Sequence, residues 1–299
     1  MEEDLKKISK TLMLHADNVD DLGLLYGKMG LIVFYFHYAR YSGNQMYEDF
    51  AMELVDSLQE KLFRCRSIDY GYGLAGIGTV IEYLVQNGYI EADTNETLED
   101  FDIKIANLTA LSNRTDGSLF TGITGSGRYF LFRIAGVNAQ DDHIPTLNCK
   151  MELIHITDIL DRMYPALKNQ NIYDVLQFLF AMEQTNLYPV KTKRLIDQFL
   201  SERIEEDSVL NKVKDDSSEH NNVNITTREI LMNKHINNIE TIFQNKYKEY
   251  PSDNYDGIVG HQRKDKCTLN PGLYGGLSGI GLYLMSKLDK RHETWMKLL

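Results

Sequence analysis

Two aspartates stand ahead of glycine-rich turns and are the first candidates for chemistry. Asp69 precedes the first glycines of one turn, Gly71 and Gly73, and Asp116 precedes Gly122 of another. If both turns reach one rim of the fold, the two carboxylates face a common cavity, and paired carboxylates are the equipment of glycoside hydrolysis. Aspartate also caps turns and helix starts. Asp69 and Asp116 are therefore catalytic candidates with a structural alternative.

A second possible chemistry is metal binding by cysteine and histidine. The chain has three cysteines (Cys65, Cys149 and Cys267), and no two of them form a CxxC pair. A metal site would use His261, Cys267 and one of His220, His235 or His143. The spacing of the first two matches no common ligand pair. The sequence therefore favours no bound metal, with His261 and Cys267 as the alternative.

Aromatic residues accompany the same turns and are candidates for ligand binding. The candidates are Tyr72, Phe120 and Tyr274, with Tyr26, Tyr70 and Tyr255 as further members of an aromatic rim. Amphipathic aromatic walls suit the capture of a peptide. The same side chains could instead fill the centre of the fold.

Four glycine clusters recur along the chain, each ahead of an apolar segment. They are GKMGLI from Gly27, GLAGIG from Gly73, GITGSG from Gly122 and GLSGIG from Gly276. Successive clusters are 46, 49 and 154 residues apart, and the last gap leaves room for two degenerate copies. A period of this size is typical of repeat architectures, whose units bury their apolar faces only against one another.

The segments between the clusters have helical periodicity. Leu31–Phe36 is apolar all round and predicts an enclosed helix, whereas the segments after Asn44 and after Leu98 have one apolar stripe. In the middle region, residues 146–200 are predicted to be helical, with Met151, Ile154, His155, Ile159 and Met163 near one face. Strand signals are scarce, so the sequence predicts an all-α fold. Glycine is expected where crowded helix starts leave no room for a Cβ.

The GLAGIG and GLSGIG motifs resemble the repeats of lanthionine synthetase C-like proteins. The resemblance implies an α/α toroid of inner and outer helices, with the glycine turns before the inner helices. Active family members add cysteine thiols to dehydrated serine or threonine residues of a peptide. They hold a zinc ion through cysteine and histidine ligands placed just before repeat glycines. Here the corresponding residues are Tyr26, Tyr72, Thr121 and Gly275, so the resemblance implies a toroid whose zinc ligands are missing.

Composition limits the remaining classes. The formal net charge is -11, and without a basic patch we expect no nucleic-acid partner. The apolar runs are shorter than a membrane span, the N-terminal residues do not form a signal peptide, and the cysteines are few, so we expect a cytoplasmic protein without membrane insertion. We expect one domain over residues 1–299, with a polar, irregular excursion around 201–229.

The leading hypothesis is a zinc-less accessory or peptide-binding protein in the maturation of a ribosomally made peptide, such as a lantibiotic. Its partners would be a precursor peptide or a peptide-modifying enzyme, and no cofactor is expected. One alternative is an active thioether-forming cyclase with relocated zinc ligands. Others are a carboxylate-dependent glycoside hydrolase and a scaffold whose centre is filled by side chains.

Overall fold

Each of the four glycine clusters opens a helix. The computed structural model describes residues 1–63, 65–111, 116–136, 143–167, 171–206, 233, 236–248, 259–261 and 267–299. The helices are α1 (Glu2–His15), α2 (Lys28–Ser42), α3 (Gln45–Leu62), α4 (Leu74–Gln86), α5 (Thr94–Thr97), α6 (Glu99–Leu111), α7 (Ile123–Ala135), α8 (Ile144–Leu167), α9 (Ile172–Thr185), α10 (Pro189–Glu206), α11 (236–248) and α12 (Leu277–Leu288). Short 3₁₀ helices cover Ala16–Asn18 and Lys290–Leu298. Gly27, Gly73, Gly122 and Gly276 are the N-cap residues of α2, α4, α7 and α12.

The described residues confirm the all-α class. The strands they contain, β1 (Val259–His261) and β2 (Cys267–Leu269), form one short antiparallel pair. In the described part of the chain, every helix is too short or too polar to cross a membrane. The predicted polar excursion around 201–229 begins in the last turns of α10, and its remainder from residue 207 lies outside the described residues.

The chain divides into two compact units. Unit 1 comprises Met1–Ser67, Gly71–Glu91 and Asn238–Leu299, and unit 2 comprises Ile68–Tyr70 and Ala92–Asn237. In unit 1, α2 packs against α3, α4 and α12, and α12 also contacts α1 and the C-terminal 3₁₀ helix. In unit 2, α7 packs against α6, α8 and α9, and α9 packs against α8 and α10. Helices α2, α7 and α12 thus each have several helices around them within their own unit.

Helix α2 is enclosed, as its sequence predicts. Every residue from Lys28 to Ala39 is buried, and Leu31–Phe36 are at most 1% exposed. The flanking α3 has the expected dry stripe, with Ala51, Leu54 and Leu58 buried, while Met46 at its start is half exposed. The difference follows from the apolar pattern, which is continuous in α2 and periodic in α3.

Helix α8 lies in the region that was predicted to be helical, and its buried face is not the one that carries Met151. The structure buries Cys149, Leu153, Ile156 and Leu160, and it leaves Met151 65% exposed. Both sets have helical spacing, because α8 carries apolar residues on more than one side. The choice between them depends on where α7 and α9 pack, which the periodicity of one segment does not contain.

We predict that Gly279→Ala destabilises unit 1 even though alanine favours helices over glycine by about 1 kcal/mol. A Cβ at Gly279 would overlap the backbone carbonyl of Leu273 and the ring of Phe243. Because a backbone atom is involved, the overlap is hard to relieve, and we expect a loss of about 3 kcal/mol in unfolding free energy, measured by urea denaturation.

The adjacent Ser278 supplies the matched control for Gly279→Ala. Ser278 is fully buried, and its Oγ has no hydrogen-bond partner among the described residues. Ser278→Ala adds no atom and should leave stability unchanged or raise it slightly. Equal stability of the two variants would contradict the close approach at Gly279.

Candidate functional site

The four glycine turns share one backbone hydrogen bond. In each turn, the first residue of the helix donates its N–H to the carbonyl seven residues earlier, at 2.9–3.0 Å: Lys28 to Asp21, Leu74 to Ser67, Ile123 to Asp116 and Leu277 to Asn270. The bond closes a loop around each N-cap glycine and satisfies one N–H of the helix terminus. The four turns are therefore equivalent residue by residue, which extends the repeat six residues ahead of the glycine.

In three of the four turns, the acceptor residue of this bond also holds the turn with its side chain. Asp21 Oδ1 accepts the N–H of Gly23 at 2.6 Å, Asp116 Oδ1 that of Ser118 at 2.9 Å, and Asn270 Oδ1 that of Gly272 at 3.3 Å. Each is an Asx turn, in which a side-chain oxygen binds the backbone N–H two residues on. The recurrence of Asp, Ser, Asp and Asn at this position could have been found in the sequence.

Within unit 1, three of the turns are joined by backbone hydrogen bonds at equivalent positions. The N–H of Tyr274 donates to the carbonyl of Leu25, and the N–H of Leu25 donates to the carbonyl of Gly71, each at 3.0 Å. All three residues stand two positions before the N-cap glycine of their own turn. We call the segments 21–27, 71–73 and 270–276 the turn cluster.

Two glycines permit the close approach inside the turn cluster. A Cβ at Gly23 would lie 2.7 Å from Tyr72 Cα, and a Cβ at Gly272 would overlap Tyr26 Cα. Side chains at either position would push the turns apart and break the hydrogen bonds between them. The glycines are thus required by backbone contact between turns, as well as by the turns themselves.

An aromatic pair lies at the surface of the turn cluster. The rings of Tyr26 and Tyr72 are 5.8 Å apart between centroids and 38% and 41% exposed. Tyr274, half-buried, lies in the same cluster through its hydrogen bond to Leu25. The structure therefore places the turns of the predicted ligand-binding residues Tyr72 and Tyr274 in one cluster. Tyr26, which was predicted as a further member of the aromatic rim, lies in the same cluster.

The other predicted rim residues have different positions. Tyr70 is fully buried in unit 2, where a Cβ at Gly125 would lie 2.7 Å from its Cβ, so it agrees with the alternative of a side chain that fills the fold and not with a rim. Phe120 is half-buried in the turn before α7, also in unit 2. Tyr255 lies outside the described residues.

Asp116 is held in a polar cluster of unit 2. Its carboxylate accepts hydrogen bonds from Ser118 Oγ at 2.6 Å, Thr121 Oγ1 at 2.8 Å and Asn171 Nδ2 at 2.8 Å, besides the N–H of Ser118. These donors favour the ionised carboxylate and fix its orientation. The role observed for Asp116 is that of a turn organiser, the structural alternative of the sequence analysis. Asp69 is half-buried in the loop before α4.

A carboxylate that the sequence analysis missed lies beside Asp116. Asp174, in the first turn of α9, accepts the N–H of Leu119 at 2.8 Å. Burial raises the pKa of Asp174, and the negative charge of Asp116 adds to the rise, while the hydrogen bond from Leu119 opposes it. Asp116 and Asp174 thus form an electrostatically coupled pair.

Helix α9 begins at the position expected for a degenerate repeat. Its N-cap is Asn171, with φ at 54°, and it follows Gly122 by 49 residues, the same step that separates Gly73 from Gly122. Asp174 then stands where the other turns have their second glycine. The signal in the sequence is the spacing together with Asn, which tolerates positive φ better than most residues.

The structure does not describe the side chains of most candidate metal ligands. The backbones of His261 and Cys267 are register partners in the β1–β2 pair, and their side chains lie outside the described part. His143 is exposed at the start of α8, and His220 and His235 lie outside the described residues. The described residues include no group of three or more His, Cys, Asp or Glu side chains suited to a metal ion.

A buried histidine network lies in unit 1. His37, fully buried near the end of α2, has Nε2 2.7 Å from Tyr83 Oη and Nδ1 3.1 Å from His292 Nδ1. Tyr83 Oη is also 2.7 Å from Thr294 Oγ1. Burial, helped by His292 and Arg40, lowers the pKa of His37 to about 3, and burial also lowers the pKa of His292. Both rings are neutral at pH 7, so one ring donates to the other. We call these four residues the histidine network.

We predict that Asp116→Ala lowers the unfolding free energy by about 2 kcal/mol, because the turn loses the carboxylate that accepts four of its hydrogen bonds. Asp116→Asn keeps an oxygen for the N–H of Ser118 and should lose less than half of that amount. Urea denaturation of both variants measures the difference. Wild-type stability in the alanine variant would contradict the structural role of Asp116.

We predict that the histidine network makes the fold less stable as pH falls below 6.5. The unfolded chain binds a proton at His37 near pH 6.5, whereas the folded chain binds one only near pH 3, so acid favours unfolding. Between pH 7 and pH 5, His37 alone should cost about 2 kcal/mol of unfolding free energy. The measurement is denaturant unfolding at both pH values.

His37→Gln tests this assignment, because it removes the titrating group. The variant should lose about 2 kcal/mol less than the parent between pH 7 and pH 5. His143→Gln, at an exposed histidine, is the matched control and should retain the parental pH dependence. Identical pH dependence in the parent and His37→Gln would show that the network does not titrate on unfolding.

The comparisons with known proteins leave the chain without an assigned family. No protein-family model matches the sequence, and no curated protein matches it. The geometry and chemistry of the turn cluster and its tyrosines are therefore the basis for a functional proposal.

Proposed function

We propose that the chain is a lanthionine synthetase C-like α/α toroid that lacks the zinc site and binds a peptide. Its role would be that of an accessory protein in the cytoplasmic maturation of a ribosomally made peptide, beside a separate modifying enzyme. The peptide would lie against the turn cluster and contact Tyr26, Tyr72 and Tyr274. The single observation that carries the proposal is the series of backbone hydrogen bonds through Tyr274, Leu25 and Gly71.

The serial hydrogen bonds favour a cyclic arrangement of turns. Each bond joins the same position of two turns. One bond joins the fourth turn to the first, and the other joins the first turn to the second. A closed ring of repeats requires such a contact, whereas an open stack of repeats leaves its terminal units apart. The start of α9 at the repeat spacing adds a further unit of the same kind.

The residues at the family's ligand positions do not fit a zinc ion. Tyr26, Tyr72, Thr121 and Gly275 precede the repeat glycines, and none offers the thiolate, imidazole or carboxylate that protein zinc sites use. The exposed tyrosines of the turn cluster instead offer rings and hydroxyls. Such side chains bury apolar surface of a peptide and hydrogen-bond its backbone with little loss of side-chain freedom.

We predict that Tyr72→Ala and Tyr26→Ala each weaken peptide binding about tenfold, since a buried aromatic contact contributes on the order of 1 kcal/mol beyond its area. The probe is a synthetic peptide that contains dehydroalanine and cysteine, and the measurement is calorimetric titration of the full chain. Phe63→Ala, which removes a ring that is 82% exposed elsewhere in unit 1, should bind like the parent. Equal affinity in all three variants would reject the tyrosine site.

The same peptide separates the accessory role from the cyclase alternative. A zinc-less accessory protein should bind it without accelerating the loss of free thiol, with or without added zinc. The relocated-ligand alternative is favoured by the pairing of His261 with Cys267 in the β1–β2 pair. Stoichiometric zinc in the purified protein, together with zinc-dependent thiol loss, would replace the accessory role with that alternative.

A carboxylate-dependent hydrolase remains the second candidate, on one specific observation. Burial and the charge of Asp116 raise the pKa of Asp174, and an acid–base pair uses one carboxyl group whose pKa is raised. Hydrolysis of aryl glycosides, lost in Asp174→Asn and retained in Tyr72→Ala, would support this function in place of peptide binding.

A further inference from the structure

An apolar groove between α6 and α8 in unit 2 has no part in the proposed peptide site. It encloses a cavity of about 210 Å³ lined by Ile103, Ala106 and Asn107 of α6 and Asn148, Met151 and Glu152 of α8. Phe130 and Cys149, each 1% exposed, also line the cavity as buried core residues. The groove is therefore open to solvent on its outer side and closed by core residues beneath.

Two residues of the lining, Ile103 and Met151, are exposed apolar side chains, and Ile144 and Leu147 continue the stripe of Met151 along α8 beyond the cavity. Ile144, Leu147 and Met151 of α8 are 74%, 42% and 65% exposed, and Ile103 on the facing helix is 52% exposed. The three residues of α8 are three and four positions apart, so they lie along one side of the helix. Scattered apolar residues on a surface are ordinary, but an aligned set beside a cavity indicates a contact surface.

One carboxylate oxygen in the groove accepts no hydrogen bond from the residues that the structure describes. Glu152 Oε2 is buried and has no hydrogen-bond partner among the described residues, with His155 Nδ1 3.5 Å away. The other lining carboxylate, Asp102, is already paired with Arg133 at 3.0 Å and bound by Tyr129 Oη. A buried acceptor without a donor is costly, so a cation brought to Glu152 would be stabilised there.

We propose that this groove binds an amphipathic helix of a partner protein, with a lysine or arginine aligned to Glu152. Apolar residues of that helix at i, i+3 or i+4, and i+7 enter between Ile103 and Met151, in the helix-in-groove mode. The cationic residue supplies the donor that Glu152 lacks, and the net charge of -11 favours a basic partner. This inference is independent of the proposed peptide site at the turn cluster.

The test uses the full chain and two fluorescein-labelled 18-residue helical peptides. One contains leucine on a single face and lysine elsewhere, and the other has glutamate in place of every lysine. We expect the lysine peptide to bind in fluorescence anisotropy and to shift the methyl NMR signals of Ile103, Ile144 and Met151. We expect the glutamate peptide to bind at least tenfold more weakly.

Variants separate the groove from general attraction to an acidic protein. Met151→Ser and Ile103→Ser should each weaken binding of the lysine peptide about tenfold, and Glu152→Gln should weaken it by a similar factor. Val190→Ser is the matched control, because Val190 is an apolar side chain 85% exposed on α10 of the same unit. Circular dichroism melts verify that all four variants fold.

Two outcomes would overturn the proposal. Equal affinity of Met151→Ser and Val190→Ser would show that the peptide binds through charge alone, away from the groove. Concentration-dependent dimerisation in light scattering, abolished by Met151→Ser, would show that a second copy of the chain covers the groove instead of a basic helix.

Discussion

Backbone contact between turns is the constraint on which unit 1 depends. Where Gly23 meets Tyr72 and Gly272 meets Tyr26, a Cβ has no space, and hydrogen bonds run from turn to turn through the main chain. Each such bond contributes about 1 kcal/mol net, while each glycine costs a similar amount in chain entropy. The arrangement therefore gains little stability by itself. The contacts instead fix the positions of the residues beside these glycines, which lie where the turns meet.

Helix α9 shows how a repeat works without its glycine. In unit 1, Gly30 lies so close to the turn of Leu273 that a Cβ would be 2.7 Å from the backbone nitrogen. In unit 2, the equivalent residue is Asp174, and its carboxylate binds the N–H of Leu119, the residue equivalent to Leu273. The side chain fills the space between helix and turn that the glycine closes. The consequence is a half-buried carboxyl group with a raised pKa, so the repeat without its glycine has a polar contact where the others have a packing contact.

The parts of the fold that the sequence predicts are those encoded within one segment. The helix starts after the four glycine clusters, and the enclosure of α2, depend on local pattern, and the structure has both. Helix α8 has more than one apolar stripe, and the structure buries the stripe with Leu153 and leaves Met151 exposed. Which stripe is buried depends on the helices that pack against it, and no single segment carries that information.

The residues of the candidate site also differ in whether one sequence segment is enough to identify them. Tyr72 and Tyr274 were identifiable from their places beside repeat glycines, and the structure brings their turns together through Leu25. Tyr70 has the same kind of neighbours in the sequence but is buried, because adjacent positions of a turn point in different directions. Asp174 was missed because it belongs to a repeat without glycine, and only the 49-residue spacing and the positive φ of Asn171 mark that repeat.

The proposed peptide site and the histidine network lie at opposite ends of α2. Its first residue, Lys28, adjoins the turn cluster, and His37 lies nine residues on, about 13 Å along the helix axis. The buried hydrogen bonds of His37 to Tyr83 and His292 tie α2, α4 and the C-terminal 3₁₀ helix together at that distance. The exposed rings of Tyr26 and Tyr72 contribute little to such packing. Substitutions of these two side chains therefore test the proposed peptide site at small cost to the fold, since the backbone contacts of the turn cluster and the histidine network do not depend on them.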